Sequence, residues 1–160
     1  MEKGKNIVTS NNVTCSGGYR MKNHEAIDRS KIRILLCDTN AESCEEVSTL
    51  LCECSYQVTS VWIATEVIGV LNSEGPHVDM ILAEVGLLVA DDAWMLKFIM
   101  GDKELQHIPV IMLLTQDEVP AIAKCLRFGT TDYLVKPLCS NELLNLSLHV
   151  RRRLRMVPIS

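Results

Sequence analysis

KIRILLCD, residues 31–38, decides the fold. Four consecutive apolar or sulfur side chains, Ile34 to Cys37, with Ile32 before Arg33, are closed by an acid. A strand with one wet face would alternate, so this run reads as a strand covered on both sides, as in a parallel sheet. Downstream, Val47, Leu50, Leu51 and Cys54 recur at helical spacing, and Gln57–Val61 is again strand-like.

The alternation continues to the end of the chain. Val67, Ile68 and Leu71 mark a second helix, Val78–Ala83 a buried strand, and Met95, Leu96 and Ile99 a third helix. Pro109–Leu114 is a strand opened by proline. Asp117-Glu118-Val119-Pro120 suits a helix start with an acidic cap, and Gly129 suits that helix's end. Tyr133–Val135 is a short strand. After Lys136-Pro137, Ser140 is placed to cap a fifth helix carrying Leu143, Leu144, Leu146, Leu148 and Val150. Five strands alternating with five helices predict an α/β domain with helices on both faces of a parallel sheet. Right-handed crossovers favour the flavodoxin-like strand order 2-1-3-4-5, with any site at the carboxyl ends of the strands.

Outside this core, residues 1–28 mix Gly, Ser, Asn and Thr without a sustained period and read as a disordered leader. The domain spans 29–155, and 156–160 is a tail. At 48% apolar and 22% charged, 160 residues suit one domain with a single core. No apolar run approaches the roughly 20 residues that cross a bilayer, and the N-terminus lacks a signal peptide's apolar block, so a soluble, unsecreted protein is expected.

Charge is unevenly placed. Residues 31–150 hold 7 Lys/Arg against 17 Asp/Glu (7 − 17 = −10), whereas 151–160 hold four arginines. An acidic body offers no broad footprint for a phosphate backbone, so direct nucleic-acid contact by the domain is not expected. Arg151–Arg153 and Arg155 read as the solvated end of the last helix, with a localisation or nucleic-acid signal as the sharper alternative. The seven cysteines (15, 37, 44, 52, 54, 125, 139) form no C-x-x-C pair and mostly lie in apolar stretches. They read as buried thiols in a reducing compartment, and the scattered histidines add no metal-ligand spacing. No cofactor and no metal are expected.

The segments KIRILLCD, VDMILAE, IPVIMLL and DYLVKP, in this order and spacing, resemble response-regulator receiver domains over roughly residues 29–155. The resemblance implies an acidic pair after strand 1, a phosphate-accepting aspartate after strand 3, a hydroxyl after strand 4, an aromatic in strand 5 and a lysine before a cis-proline. Tyr133 and Lys136 fill the last two positions. The acidic pair is Cys37-Asp38, the acceptor is Glu84, and the hydroxyl position is Leu114, with Thr115 beside it. One carboxylate poorly replaces two as hard oxygen ligands for Mg²⁺, and the extra methylene of Glu84 displaces the attacking oxygen from the in-line path. Leu114 cannot donate a hydrogen bond to a phosphoryl oxygen. Three lesions in one constellation predict a chain that is not an enzyme and does not phosphorylate itself. Lys136 is then free to pair with Glu84 or Asp38, and Glu84 imitating a phosphorylated acceptor is the alternative.

Glutamate in ILAEV, with the strings DRSKIRILLCD, CSYQVTSV, DEVPAIAKCLRFG, DYLVKPL and NELLNL, is similar to the plant pseudo-response regulators, most of all their timing-of-CAB-expression branch. That resemblance implies a nuclear circadian-clock transcriptional regulator whose pseudo-receiver domain binds other pseudo-response regulators or clock regulatory proteins, as a homo- or hetero-dimer. It also implies that DNA contact belongs to a separate basic motif, which residues 1–160 do not contain. Helix 4, strand 5 and helix 5 form the usual receiver dimer surface, displaying here Lys124, Arg127, Asp132, Glu142 and Asn145. Gly86–Trp94 lacks the proline and glycine expected in the loop after strand 3, and the last helix lacks the expected tryptophans. A truncated, divergent paralogue modulating full-length relatives is therefore an alternative. A working phosphorelay receiver with an atypical acceptor is the rival of another class. A flavin-binding redox protein is disfavoured by the acids of Cys37–Glu42, where a phosphate loop would be rich in Ser, Thr and Gly. Trp62 and Trp94 read as packing residues, with interface anchoring as the alternative.

Overall fold

A computed structural model describes residues 28–150. The leader, Cys15, the arginines at 151–155 and the tail lie outside the described residues, except that Asp28 caps the short turn Arg29–Lys31 through its side chain.

Five strands form one parallel sheet: β1 (Arg33–Cys37), β2 (Gln57–Val61), β3 (Met80–Glu84), β4 (Val110–Leu114) and β5 (Asp132–Val135). Their order is β2-β1-β3-β4-β5, the predicted flavodoxin-like arrangement. The helices are α1 (Ala41–Glu53), α2 (Val67–Glu74), α3 (Val85–Met100), α4 (Ile122–Arg127) and α5 (Ser140–Asn145), with residues 147–150 again helical. Leu35, Ile81, Val110 and Met112 face α2, α3 and α4 across one apolar layer. Ile34, Leu36, Met80, Leu82, Ile111 and Leu113 face α1 and α5 across the other. The continuous apolar runs of β1, β3 and β4 follow from this double covering.

Asn40 caps α1, its side chain accepting from the Ser43 amide at 2.9 Å. Further along, local chemistry departs from the sequence reading at two helix starts and two helix faces. The predicted start at Asp117 is instead a 3-10 turn over Gln116–Ala121, entered from Thr115 and carrying Pro120 without an α-helical bond to lose. Ser140 is the first residue of α5 rather than its cap, which is Cys139. Ile68 and Leu148, read as core residues of their helices, are exposed, while Leu143, Leu146 and Val150 form the buried stripe of the last helix.

The stretch after β3 also departs from expectation. Instead of a loop shaped by proline and glycine, Val85 opens α3 and the chain kinks at Ala90. Asp91, Asp92 and Ala93 follow at φ of 48°, 61° and 59° before the helix resumes. Left-handed backbone costs a residue with a Cβ about 1–2 kcal/mol, so three in succession store strain. Burial of Ala93, Met95 and Leu96 and the Asp92–Lys97 ion pair at 2.8 Å hold the turn in place. Asp91 is exposed, and among the described residues neither a hydrogen bond nor an ion pair is seen on its carboxylate. Asp91→Gly should therefore raise stability by about 0.5–1 kcal/mol in a urea melt. Ala93→Gly should be near neutral, because losing a buried methyl offsets the relief of about 1 kcal/mol.

Candidate functional site

The carboxyl ends of β1, β3, β4 and β5 bring Cys37, Asp38, Glu84, Leu114 and Lys136 to one end of the sheet. Asp38 follows β1, and only 1% of it is exposed. Its Oδ1 accepts from the Asn40 amide at 3.1 Å and its Oδ2 from the Ser43 hydroxyl at 2.6 Å. Lys136, on the cis Lys136-Pro137 peptide after β5, donates from Nζ to Ser43 Oγ at 2.6 Å and lies 3.6 Å from Asp38 Oδ2. Of the two pairings open to Lys136 in the sequence, the structure makes the one with Asp38, and Ser43 is the hinge between them.

Glu84, the last residue of β3, turns the other way. Its Oε2 accepts from the Thr39 amide at 2.7 Å and from the Thr39 hydroxyl. No ion pair joins it to Lys136. A phosphorylated acceptor mimic would sit against the lysine and a hydroxyl at the end of β4; here the lysine serves Asp38, and the position is Leu114, buried in the apolar layer. Thr115 lies outside this group: it is exposed, its hydroxyl donates to Asp117 Oδ1 at 2.6 Å, and its amide donates to Glu118 Oε1 at 2.8 Å. Tyr133 projects from β5 to solvent.

The residues present do not suit a divalent cation. Cys37 is fully buried among apolar neighbours, and burial, followed by the nearby Cys44, Asp38 and Glu84, pushes its thiol pKa well up, so it stays a neutral thiol. Asp38 is neutralised by the Lys136 ammonium, and Glu84 is held by Thr39. Cys44, Cys54 and Cys125 fit the buried-thiol reading and Cys139 does not: Cys44 is pushed up to about 11, mainly by burial, and Cys125 and the half-buried Cys52 are also raised by burial. Cys139 is exposed.

Thr39 and Ser43 escaped the sequence reading, although the signal was available. Asn40 caps α1, so Ser43 falls in the first turn, facing back toward the acid five residues earlier. Lys124, Arg127, Glu142 and Asn145 of the predicted interaction face are exposed. Asp132 is half-buried and occupied internally, pairing with His149 Nε2 at 3.2 Å and accepting from the Tyr133 amide. α4, β5 and the helical turn at residues 147–150 also present the apolar Leu126, Tyr133 and Leu148 to solvent.

The family model for the response regulator receiver domain matches residues 34–147. The chain belongs to the response regulator receiver family. It is 54% identical over 149 residues to the two-component response regulator-like protein APRR1 of Arabidopsis thaliana, covering 93% of this chain and 23% of that protein. It is 56% identical over 134 residues to the response regulator-like protein PRR1 of Oryza sativa subsp. japonica, covering 84% and 26%. The resemblance to plant pseudo-response regulators thus holds, and the chain spans about a quarter of the length of these relatives. A putative response regulator from Chloroflexus aurantiacus superposes with a TM-score of 0.66 at 21% identity, covering 76% of this chain and 98% of that one, which establishes the fold alone.

Proposed function

We propose that the domain is a non-phosphorylating interaction module of a nuclear circadian-clock transcriptional regulator, binding related pseudo-receivers or clock regulatory proteins. The observation that carries this reading is the commitment of the pocket to its own chain: Asp38 to Ser43 and Lys136, Glu84 to Thr39. A receiver that transfers phosphate needs those carboxylates for metal and for attack. With no phosphoryl switch, binding is set by folding and concentration. The face of α4, β5 and α5 supplies the surface, where Leu126, Tyr133 and Leu148 give apolar contact and Lys124, Arg127 and Glu142 set register.

The test is sedimentation of the wild type and Arg127→Glu with a related pseudo-receiver, with and without a small phosphodonor and Mg²⁺, beside a melting curve for each. Arg127→Glu should weaken association about tenfold without lowering the melting temperature, and the phosphodonor should change nothing. A stable mass gain at Glu84 would return the chain to the phosphorelay class.

A further inference from the structure

The two edges of the sheet are protected unequally. The β5 edge is four residues long, starts at the charged Asp132 and ends at Lys136-Pro137, features that discourage pairing with another strand. The β2 edge has none of them. From Cys54 to Thr65, twelve residues carry no Lys, Arg, Asp, Glu, Pro or Gly. Gln57–Val61 is rich in β-branched residues, and among the described residues β1 is its only strand neighbour.

The backbone of β2 fixes which groups are unpaired. The Gln57 amide donates to Ile32 O at 3.0 Å, and Val61 O accepts from the Asp38 amide at 3.1 Å. In a parallel ladder alternate residues bond to the same neighbour, so Gln57, Thr59 and Val61 turn inward to β1. Val58 and Ser60 turn their N–H and C=O groups outward. At the strand's far end Trp62 and Ile63 are 43% and 44% exposed.

We propose that the β2 edge is a self-association surface on which a second copy of this chain pairs antiparallel across a two-fold axis at Thr59. The register follows from the outward groups. An axis at Thr59 sets Val58 opposite Ser60 twice, each pair exchanging both backbone bonds. It also sets Thr59 opposite its own copy in a non-hydrogen-bonded pair, where Cα atoms approach to about 4.5 Å. Charge selects the occupant. The body from 31 to 150 carries 7 basic and 17 acidic residues, so most surfaces of two copies would repel, whereas this edge meets its copy without charge. The axis also carries Trp62 and Ile63 of each copy past the start of the other copy's β2, adding apolar contact. The pairing extends the sheet to ten strands and leaves the α4–β5–α5 face of both copies free.

Charge exchange at Thr59, an exposed side chain, tests the register. Sedimentation equilibrium of the 160-residue chain should show a dimer for the wild type and for Arg127→Glu. Thr59→Lys and Thr59→Glu should each weaken self-association at least tenfold, since each puts like charges face to face. An equimolar mixture of the two should recover it. Ser60→Pro, which removes an outward N–H that β1 does not use, should also abolish the dimer with the fold retained by circular dichroism. A wild type that is monomeric at about 100 µM, near the weak end of specific association, overturns the proposal. So does self-association unchanged in both Thr59 variants and Ser60→Pro, or a mixture that recovers nothing. Loss of the dimer in Arg127→Glu with none in Thr59→Lys assigns self-association to the α4–β5–α5 face instead.

Discussion

Magnesium at about 10 mM should leave the wild-type melting temperature where it is, while the double variant Cys37→Asp/Glu84→Asp should melt well below wild type without metal and recover with it. A ligand stabilises by RT ln(1 + [L]/Kd), so an ion that finds no site contributes nothing at any accessible concentration. In the wild type Asp38, the one buried carboxylate among the described residues, already has its cation in Lys136, 3.6 Å away, and the position beside it is the neutral thiol of Cys37. Converting that thiol to a carboxylate puts a second buried anion next to Asp38 and should cost about 3 kcal/mol or more when no metal answers it. Shortening Glu84 removes its reach to Thr39 and returns the carboxylate toward the strand end. If the rebuilt site binds Mg²⁺ with Kd near 0.1 mM, saturation restores about 2.7 kcal/mol, or roughly 5–10 °C for a domain of this size. A differential scanning fluorimetry titration checks both halves. A saturable rise in the wild type would show that the Lys136–Asp38 pair yields to metal; no recovery in the double variant would mean the loops around the pocket no longer approach as a metal requires.

How far the sequence could be read depended on the range of the physics involved. The sheet order was legible because the apolar runs at 32–37, 80–83 and 110–114 are dense enough to demand cover on both faces, which limits the topologies. Glu84, Asp38 and Lys136 were legible as a group because strand ends in such a sheet converge wherever the side chains point. Their pairing was not, since it turns on Ser43 and Thr39, whose placement depends on where α1 begins. The error at Leu148 was avoidable: Leu143, Leu146 and Val150 are spaced by three and four, and a residue two beyond Leu146 falls off that stripe. The left-handed turn at Asp91–Ala93 was not legible, because residues other than glycine enter that region singly, aspartate among them, and not three in succession with an alanine at the end. There tertiary packing of Met95 and Leu96 overrides local preference. The β2 edge was legible only as a strand; that its outer groups are free follows from the bonds at Gln57 and Val61.

Lys136→Met should destabilise the domain by about 3 kcal/mol, more than Asp38→Asn, which should cost about 1 kcal/mol. The asymmetry follows from which partner can reach water once the other is gone. The side chain of Lys136 is 26% exposed and can swing outward when Asp38 is neutralised, whereas that of Asp38 is 1% exposed and cannot. Without the ammonium, the Asp38 carboxylate keeps the Ser43 hydroxyl and the Asn40 amide but loses its only counter-ion within 4 Å among the described residues. An uncompensated buried charge carries the larger penalty, so the two substitutions should not add. Asp38→Asn/Lys136→Met should lie close to Asp38→Asn alone, a coupling of about 3 kcal/mol that identifies the pair rather than either residue as the stabilising unit. Glu84→Gln, whose amide oxygen can still accept from Thr39, should cost less than about 1 kcal/mol. Urea denaturation of the wild type and the four variants gives all these values. Additive losses for Asp38 and Lys136 would mean that the lysine acts through Ser43 alone, and a Glu84→Gln loss as large as that of Lys136→Met would move the centre of the site from Asp38 to the Thr39 clasp.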